Sequence, residues 1–202
     1  MKVAEFGKTS DGRPITSYTL TGGRGAELEV LDYGGKVRRL SVPDRQGICE
    51  NIAMSLDFSK PGFGGSLIGR YANRIAGGSF PLEGRTVQVS RNRPPHCIHG
   101  GAEGFDKKVW TLQREEEGLL RLAYTSPDGE EGFPGTLRAE ATFDFSRPHT
   151  LEIRYEAETD APTVNNQSKL FVRWTPDKTS SIDGSSSAND GNSITNLAVP
   201  VK

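Results

Sequence analysis

The chain has 202 residues, with 25 Lys plus Arg against 26 Asp plus Glu, so its formal net charge is −1. That balance excludes nucleic acid as the main partner, because no basic excess exists to neutralise phosphates. No apolar run approaches the roughly 18–20 residues that cross a bilayer as a helix, and residues 1–10 have neither the apolar core nor the small-residue cleavage site of a signal peptide. The expectation is therefore one main domain in the cytoplasm, with no membrane partner.

Taken in order, the apolar residues alternate over short runs separated by turns. Leu28 with Val30, Val37 with Leu40 and Val42, and Thr86 to Val89 are the first strand candidates. Leu120, Leu122 and Tyr124 make one apolar face. The clearest run is Leu137 to Phe145, where Leu137, Ala139, Ala141, Phe143 and Phe145 alternate with Arg138, Glu140, Thr142 and Asp144. Period two of this kind predicts a half-buried antiparallel strand. Ser146-Arg147-Pro148-His149 then reads as a turn. Leu151, Ile153, Tyr155 and Ala157 resume the alternation against Glu152, Arg154, Glu156 and Glu158. The two runs predict a hairpin with one apolar and one charged face. Gly 24 and Pro 12 supply the corners, at 21–25, 61–65, 100–104 and 127–135. No segment shows a helical period. The fold class is all-β, an antiparallel sandwich or barrel.

The composition shifts near Asn165. Residues 165–202 are rich in Ser, Thr, Asn, Asp and Gly. Phe171 to Trp174 is the one run there that reads as a strand, and the rest predicts irregular or disordered chain. This divides the chain into a sandwich portion, 1–164, and a polar tail, 165–202.

Three patches are dense in chemistry. The first runs from Gly69 to Phe80 and opens Gly69-Arg70-Tyr71-Ala72-Asn73-Arg74-Ile75, the second is Ile98-His99-Gly100-Gly101-Ala102-Glu103-Gly104-Phe105-Asp106-Lys107, with Trp110 just beyond it, and the third is Ser126-Pro127-Asp128-Gly129-Glu130-Glu131-Gly132-Phe133-Pro134-Gly135. The default reading of the arginines is solvation or pairing with acids. The functional reading is that an Asn amide and an Arg fork grip a polyol. His99 is by default a satisfied loop histidine; functionally, a neutral imidazole bonds a sugar oxygen and passes a proton. Glu130 and Glu131 read as a solvated turn. The glycines open no helix and follow no phosphate-binding pattern. Cys49 and Cys97 read as two free thiols, and His96, His99 and His149 have no zinc spacing.

In order and spacing, the three patches resemble the aldose 1-epimerase (galactose mutarotase) family. Tyr33-Gly34-Gly35 and Asp11-Gly12 fit its first strands, and the likeness covers about residues 3 to 164. The resemblance implies a large antiparallel β-sandwich, truncated here. It implies interconversion of the α and β anomers of a free hexose such as galactose or glucose, with the aldose as small-molecule partner and no metal or organic cofactor. It assigns Asn73 and Arg74 to substrate binding, and His99 to substrate binding and catalysis. One local departure is His96, where the family often has Asn.

The resemblance stops after Pro162-Thr163-Val164-Asn165. The family continues into an Asn-His-Ser-Tyr-Phe-Asn-Leu motif whose histidine is its general acid, and here Asn166-Gln167-Ser168-Lys169-Leu170-Phe171 follows. No His occurs after His149 and no Glu after Glu158. The resemblance therefore implies an incomplete catalytic set and a weakly active or inactive chain. A frameshift, an early stop, a gene-model error or a genuine truncation would each leave this pattern. A cut sandwich also predicts self-association through unpaired sheet edges. Two other readings stay open. One is a non-catalytic carbohydrate-binding sandwich. The other is an epimerase-like enzyme for a phosphorylated hexose, to which Arg70 and Arg91 would offer charge.

Overall fold

The structure is a computed structural model that describes residues 1–53, 62–166, 169–173, 183–186 and 196–199, with side chains described as far as residue 164. The first sheet is a meander of five antiparallel strands, β1 (Lys2–Lys8), β2 (Pro14–Thr21), β3 (Glu27–Leu31), β4 (Lys36–Pro43) and β5 (Cys49–Asn51), in that order. The connecting segment then forms short antiparallel pairs. β6 (Arg74–Ile75) pairs with β9 (Cys97–Ile98), and β7 (Ser79–Leu82) pairs with β8 (Arg85–Gln88). The second sheet begins with β10 (Thr111–Glu116), β11 (Leu119–Ser126), β12 (Leu137–Asp144) and β13 (Thr150–Thr159). After β14 (Thr163–Asn166), β15 (Lys169–Arg173) and β16 (Asp183–Ser186) extend that sheet, and β17 (Asn196–Val199) pairs with β14.

The hairpin expected over 137–157 is β12–β13. Ala139 stands opposite Ala157, Ala141 opposite Tyr155 and Phe143 opposite Ile153, while Arg138 faces Glu158 and Thr142 faces Arg154. β11 continues the rows, with Leu120 opposite Phe143 and Leu122 opposite Ala141. Apolar side chains thus line up on one face of three strands, as period two demands. That face meets Tyr18, Leu20, Leu28 and Val30 of the first sheet in one buried cluster. Leu20, Leu28, Leu120 and Phe143 are fully buried, each contributing roughly 1.5–3 kcal/mol by burial. The opposite face carries the charges, with Arg138 and Arg121 both paired to Glu140.

Some elements carry no clean period. β10 is exposed along its whole length, so no apolar alternation marks it. In β2 and β3 the alternation is broken by buried polar groups. The Ser17 hydroxyl donates to Glu29 at 2.7 Å, and Arg38 pairs with the same carboxylate at 2.5 Å. Within the tail, Lys169–Arg173 falls on the run that reads as a strand, and 183–186 and 196–199 are strands as well. The remaining irregular chain expected of the tail lies outside the described residues.

Where β4, β5, β12 and β13 meet, the two sheets part. Val37, Leu40, Ile52, Phe143, Leu151 and Ile153 line a largely apolar cavity of about 380 Å3 there.

Candidate functional site

The site assembles because β6 pairs with β9. Arg74 stands opposite Ile98 and Ile75 opposite Cys97, so Asn73 and His99 face each other just beyond the paired residues. They exchange two hydrogen bonds. The Asn73 N–H donates to His99 Nδ1 at 3.0 Å, and the His99 N–H donates to the Asn73 carbonyl at 3.1 Å. Both residues lie in the left-handed region, Asn73 at φ 68° and His99 at φ 54°. Few side chains adopt this conformation readily, and Asn and His are among those that do. Strain of this kind persists only where surrounding contacts over-determine it.

The bond from Asn73 fixes the imidazole's chemistry. Nδ1 accepts, so in the neutral ring the proton sits on Nε2, which is left to donate. Burial, and then the charge of Arg74, hold the His99 pKa below its ordinary value of 6.5. The ring is thus neutral at pH 7. The Arg74 guanidinium reaches Asn73 Oδ1 at 3.5 Å, and both side chains are exposed. Phe63 meets His99 edge-on, 4.6 Å between ring centres. The arrangement offers a neutral imidazole donor, an amide and a guanidinium fork around one exposed spot, which is chemistry suited to a polyhydroxylated ligand.

The loop that carries His99 is held from several sides. Asn92 accepts the Ile98 N–H at 2.8 Å and donates to the Ile98 and Gly101 carbonyls at 2.9 and 2.8 Å. Gly100 has φ 86°, and a Cβ there would overlap the Gly69 carbonyl, so only glycine lets the two loops touch. Phe105 and Trp110 anchor the segment that follows. Their rings meet edge-to-face in the core, and Trp110 Nε1 donates to the Phe105 carbonyl at 3.2 Å. His96 stays local, its Nδ1 accepting the Gly77 N–H at 3.1 Å.

Arg70 differs from both of its sequence readings. It is 2% exposed, neither solvated nor turned to a ligand. Its guanidinium donates to Ser126 Oγ and the Ser126 carbonyl at 2.9 Å each, to the Pro134 carbonyl at 2.7 Å, to the Pro127 carbonyl at 3.1 Å and to the Gly135 carbonyl. Thr163 Oγ1 lies 3.4 Å from it. These contacts use up the fork, so Arg70 has no donors to spare for a sugar phosphate. Arg91 reaches the Gln88 side chain at 3.4 Å.

The third patch is likewise no solvated turn. Glu130 accepts from Tyr124 at 2.7 Å and from Ser126, and pairs with Lys108 at 2.7 Å. Burial works to raise its pKa, but bonds from Lys108, Ser126 and Tyr124 prevail and hold it below the ordinary value. Glu131 accepts the backbone N–H groups of Ala102 and Glu103. Both side chains therefore brace the loops of the site. Asn92, Ser90 and Phe63 are further contributors that the sequence does not single out. The Asn92-Arg93-Pro94-Pro95 run was the one available sign of a tight turn.

Sandwich and loop cluster together define a class, an all-β protein with a polar, His-centred site on its inter-sheet loops. The aldose 1-epimerase family model matches residues 16–168, and the chain belongs to that family. Aldose 1-epimerase of Escherichia coli is 31% identical over 161 residues, covering 77% of this chain and 46% of the relative. Human galactose mutarotase is 33% identical over 144 residues, covering 69% of this chain and 42% of the relative. The chain thus spans about half the length of the curated relatives it matches. Among solved structures, galactose 1-epimerase from Lactobacillus acidophilus superposes with a TM-score of 0.72 at 24% identity, over 85% of this chain and 52% of that one. An aldose epimerase homologue from C. elegans gives 0.71 at 21% identity, over 84% and 51%. These two likenesses confirm the antiparallel fold.

Proposed function

We propose that this chain binds the ring of a free aldose, such as galactose or glucose, through Asn73, Arg74 and His99. The reading follows the family's chemistry, interconversion of α and β anomers by acid/base ring opening. One group must take the anomeric hydroxyl proton while another protonates the ring oxygen from the opposite side. The observation that carries the binding role is geometric: the Asn73 N–H occupies His99 Nδ1, which leaves Nε2 as the free ring nitrogen beside the Asn73 amide and the Arg74 guanidinium.

Turnover is another matter. One imidazole cannot act from both sides of a sugar, and no His follows His149 and no Glu follows Glu158 in these 202 residues. The catalytic set proposed here is therefore incomplete, with His99 as its one member. Polarimetry of freshly dissolved α-galactose tests this. The optical rotation should relax at the buffer rate with or without the chain. Faster relaxation that His99→Ala abolishes would overturn the incomplete set. Sugar binding without turnover would make the chain a non-catalytic carbohydrate-binding sandwich, the second reading, which the missing acid and base favour.

A further inference from the structure

We propose that Glu131 is a positioning residue for His99, holding the loop 99–103 in its sugar-binding geometry; this rests on the sugar-binding reading above. Two adjacent glutamates in the 126–135 loop do different work. Glu130 turns to Tyr124, Ser126 and Lys108 and ties its own loop to β11. Glu131 turns the other way. Its backbone sits in the left-handed region at φ 52°, which sends its carboxylate across to the loop that follows His99.

There the carboxylate takes consecutive backbone donors. Oε2 accepts the Ala102 N–H at 2.8 Å, and Oε1 accepts the Glu103 N–H at 3.1 Å. Oε2 also accepts the Ser90 hydroxyl. The Glu131 carbonyl accepts the Ser90 N–H at 2.8 Å, so Ser90 and Glu131 are joined by main chain and side chain together. A Cβ at Gly101 (φ 107°) would overlap the carboxylate. The loop thus comes as close to Glu131 as glycine permits.

The consequence for His99 is geometric. Asn73 and Asn92 hold the residues at and before His99, and Asn92 also takes the Gly101 carbonyl. Glu131 supplies the next clamp, at 102 and 103. A left-handed histidine persists where the surrounding structure over-determines it, and here clamps act on both of its flanks. Only a carboxylate fits this role. It offers two acceptors to two N–H groups, and charge-assisted bonds are the stronger kind. A glutamine keeps one acceptor and turns an NH2 donor against an N–H donor. An aspartate keeps the chemistry but is one methylene short.

The test uses the isotope-labelled 202-residue chain, first without sugar. In wild type the His99 ring should give the signature of a neutral imidazole protonated at Nε2, and the Ala102 and Glu103 amides should be shifted by charge-assisted bonding. In Glu131→Gln both signatures should move, while a control on the outer face, Glu140→Gln, leaves them in place. Galactose affinity in Glu131→Gln should fall by about tenfold, the scale of one lost charge-assisted bond, and Glu131→Asp should recover part of the loss. If Glu131→Gln does not fold, Ser90→Ala removes the hydroxyl on the same carboxylate and should move the His99 signature in the same direction, less far. An unmoved His99 signature in the folded variant, or in Ser90→Ala where that is the one measured, overturns the positioning role. If wild type binds no galactose, the sugar-binding reading fails, and the sugar-free His99 signature still decides the role of Glu131.

Discussion

Replacing Arg70 with methionine tests the bracing of the site most severely. The side chain keeps its volume roughly and loses every donor. The Ser126 and Gly135 carbonyls lose partners in fully buried surroundings, whereas Ser126 Oγ keeps its bond to Glu130 and the Pro127 and Pro134 carbonyls are part-buried and regain water. Each buried acceptor left unpaired costs about 1–3 kcal/mol. Two of them give a gross loss of roughly 2–6 kcal/mol, offset in part by no longer desolvating a cation. The expected net destabilisation is about 3 kcal/mol, a sizeable share of the roughly 5–15 kcal/mol that holds a domain together. Urea unfolding followed by tryptophan fluorescence measures it, since Trp110 is buried in the core. Arg70→Lys should lie between wild type and Arg70→Met, because an ammonium brings a charge without the fork. A methionine variant within about 1 kcal/mol of wild type would show that those carbonyls are satisfied some other way and that Arg70 does not brace the loop.

Two more outcomes follow from the same structure. Galactose affinity should be constant at neutral pH and fall in acid. The folded pKa of His99 lies below its ordinary 6.5, so the stability tied to neutral His99 is present above the unfolded value and is lost as pH falls through the lower, folded one. Protonation also turns Nδ1 into a donor facing the Asn73 N–H. Isothermal titration across pH 5–8 reads this, and an affinity that rose in acid would contradict it. Sedimentation velocity should show self-association growing with concentration, because an apolar cavity opens between the sheets and the edge strand β10 is exposed throughout; a monomer at every concentration would refute that.

The fold was legible where alternation survives burial. In β12 and β13 each apolar residue faces the core and nearly every charged one faces out, so sequence period and structure coincide. Glu152 is the exception, buried because Arg147 and Arg154 both pair with it. Leu28 and Val30 marked β3, whereas β2 hid its period because Ser17 is buried, bonded to Glu29. β6 and β9 have two residues each, too few for any period.

Of the candidate site, Asn73, Arg74 and His99 were reached through family resemblance, and the structure brings them together. Their supports were not readable. Arg70 finds its acceptors 56 to 93 positions away, and Glu131 bonds Ala102 and Ser90 at separations of 29 and 41. Most of these partners are backbone atoms, which every residue carries, so no local residue pattern announces them.

One sugar site formed by Asn73, Arg74 and His99 has a plain signature in a galactose titration of the labelled 202-residue chain observed at the His99 imidazole. Saturable shifts should appear at His99 and at the Asn73 and Arg74 amides with one common dissociation constant, weakened at least tenfold by Asn73→Ala. Saturable binding that left His99 unmoved, or no binding up to molar sugar, would contradict it.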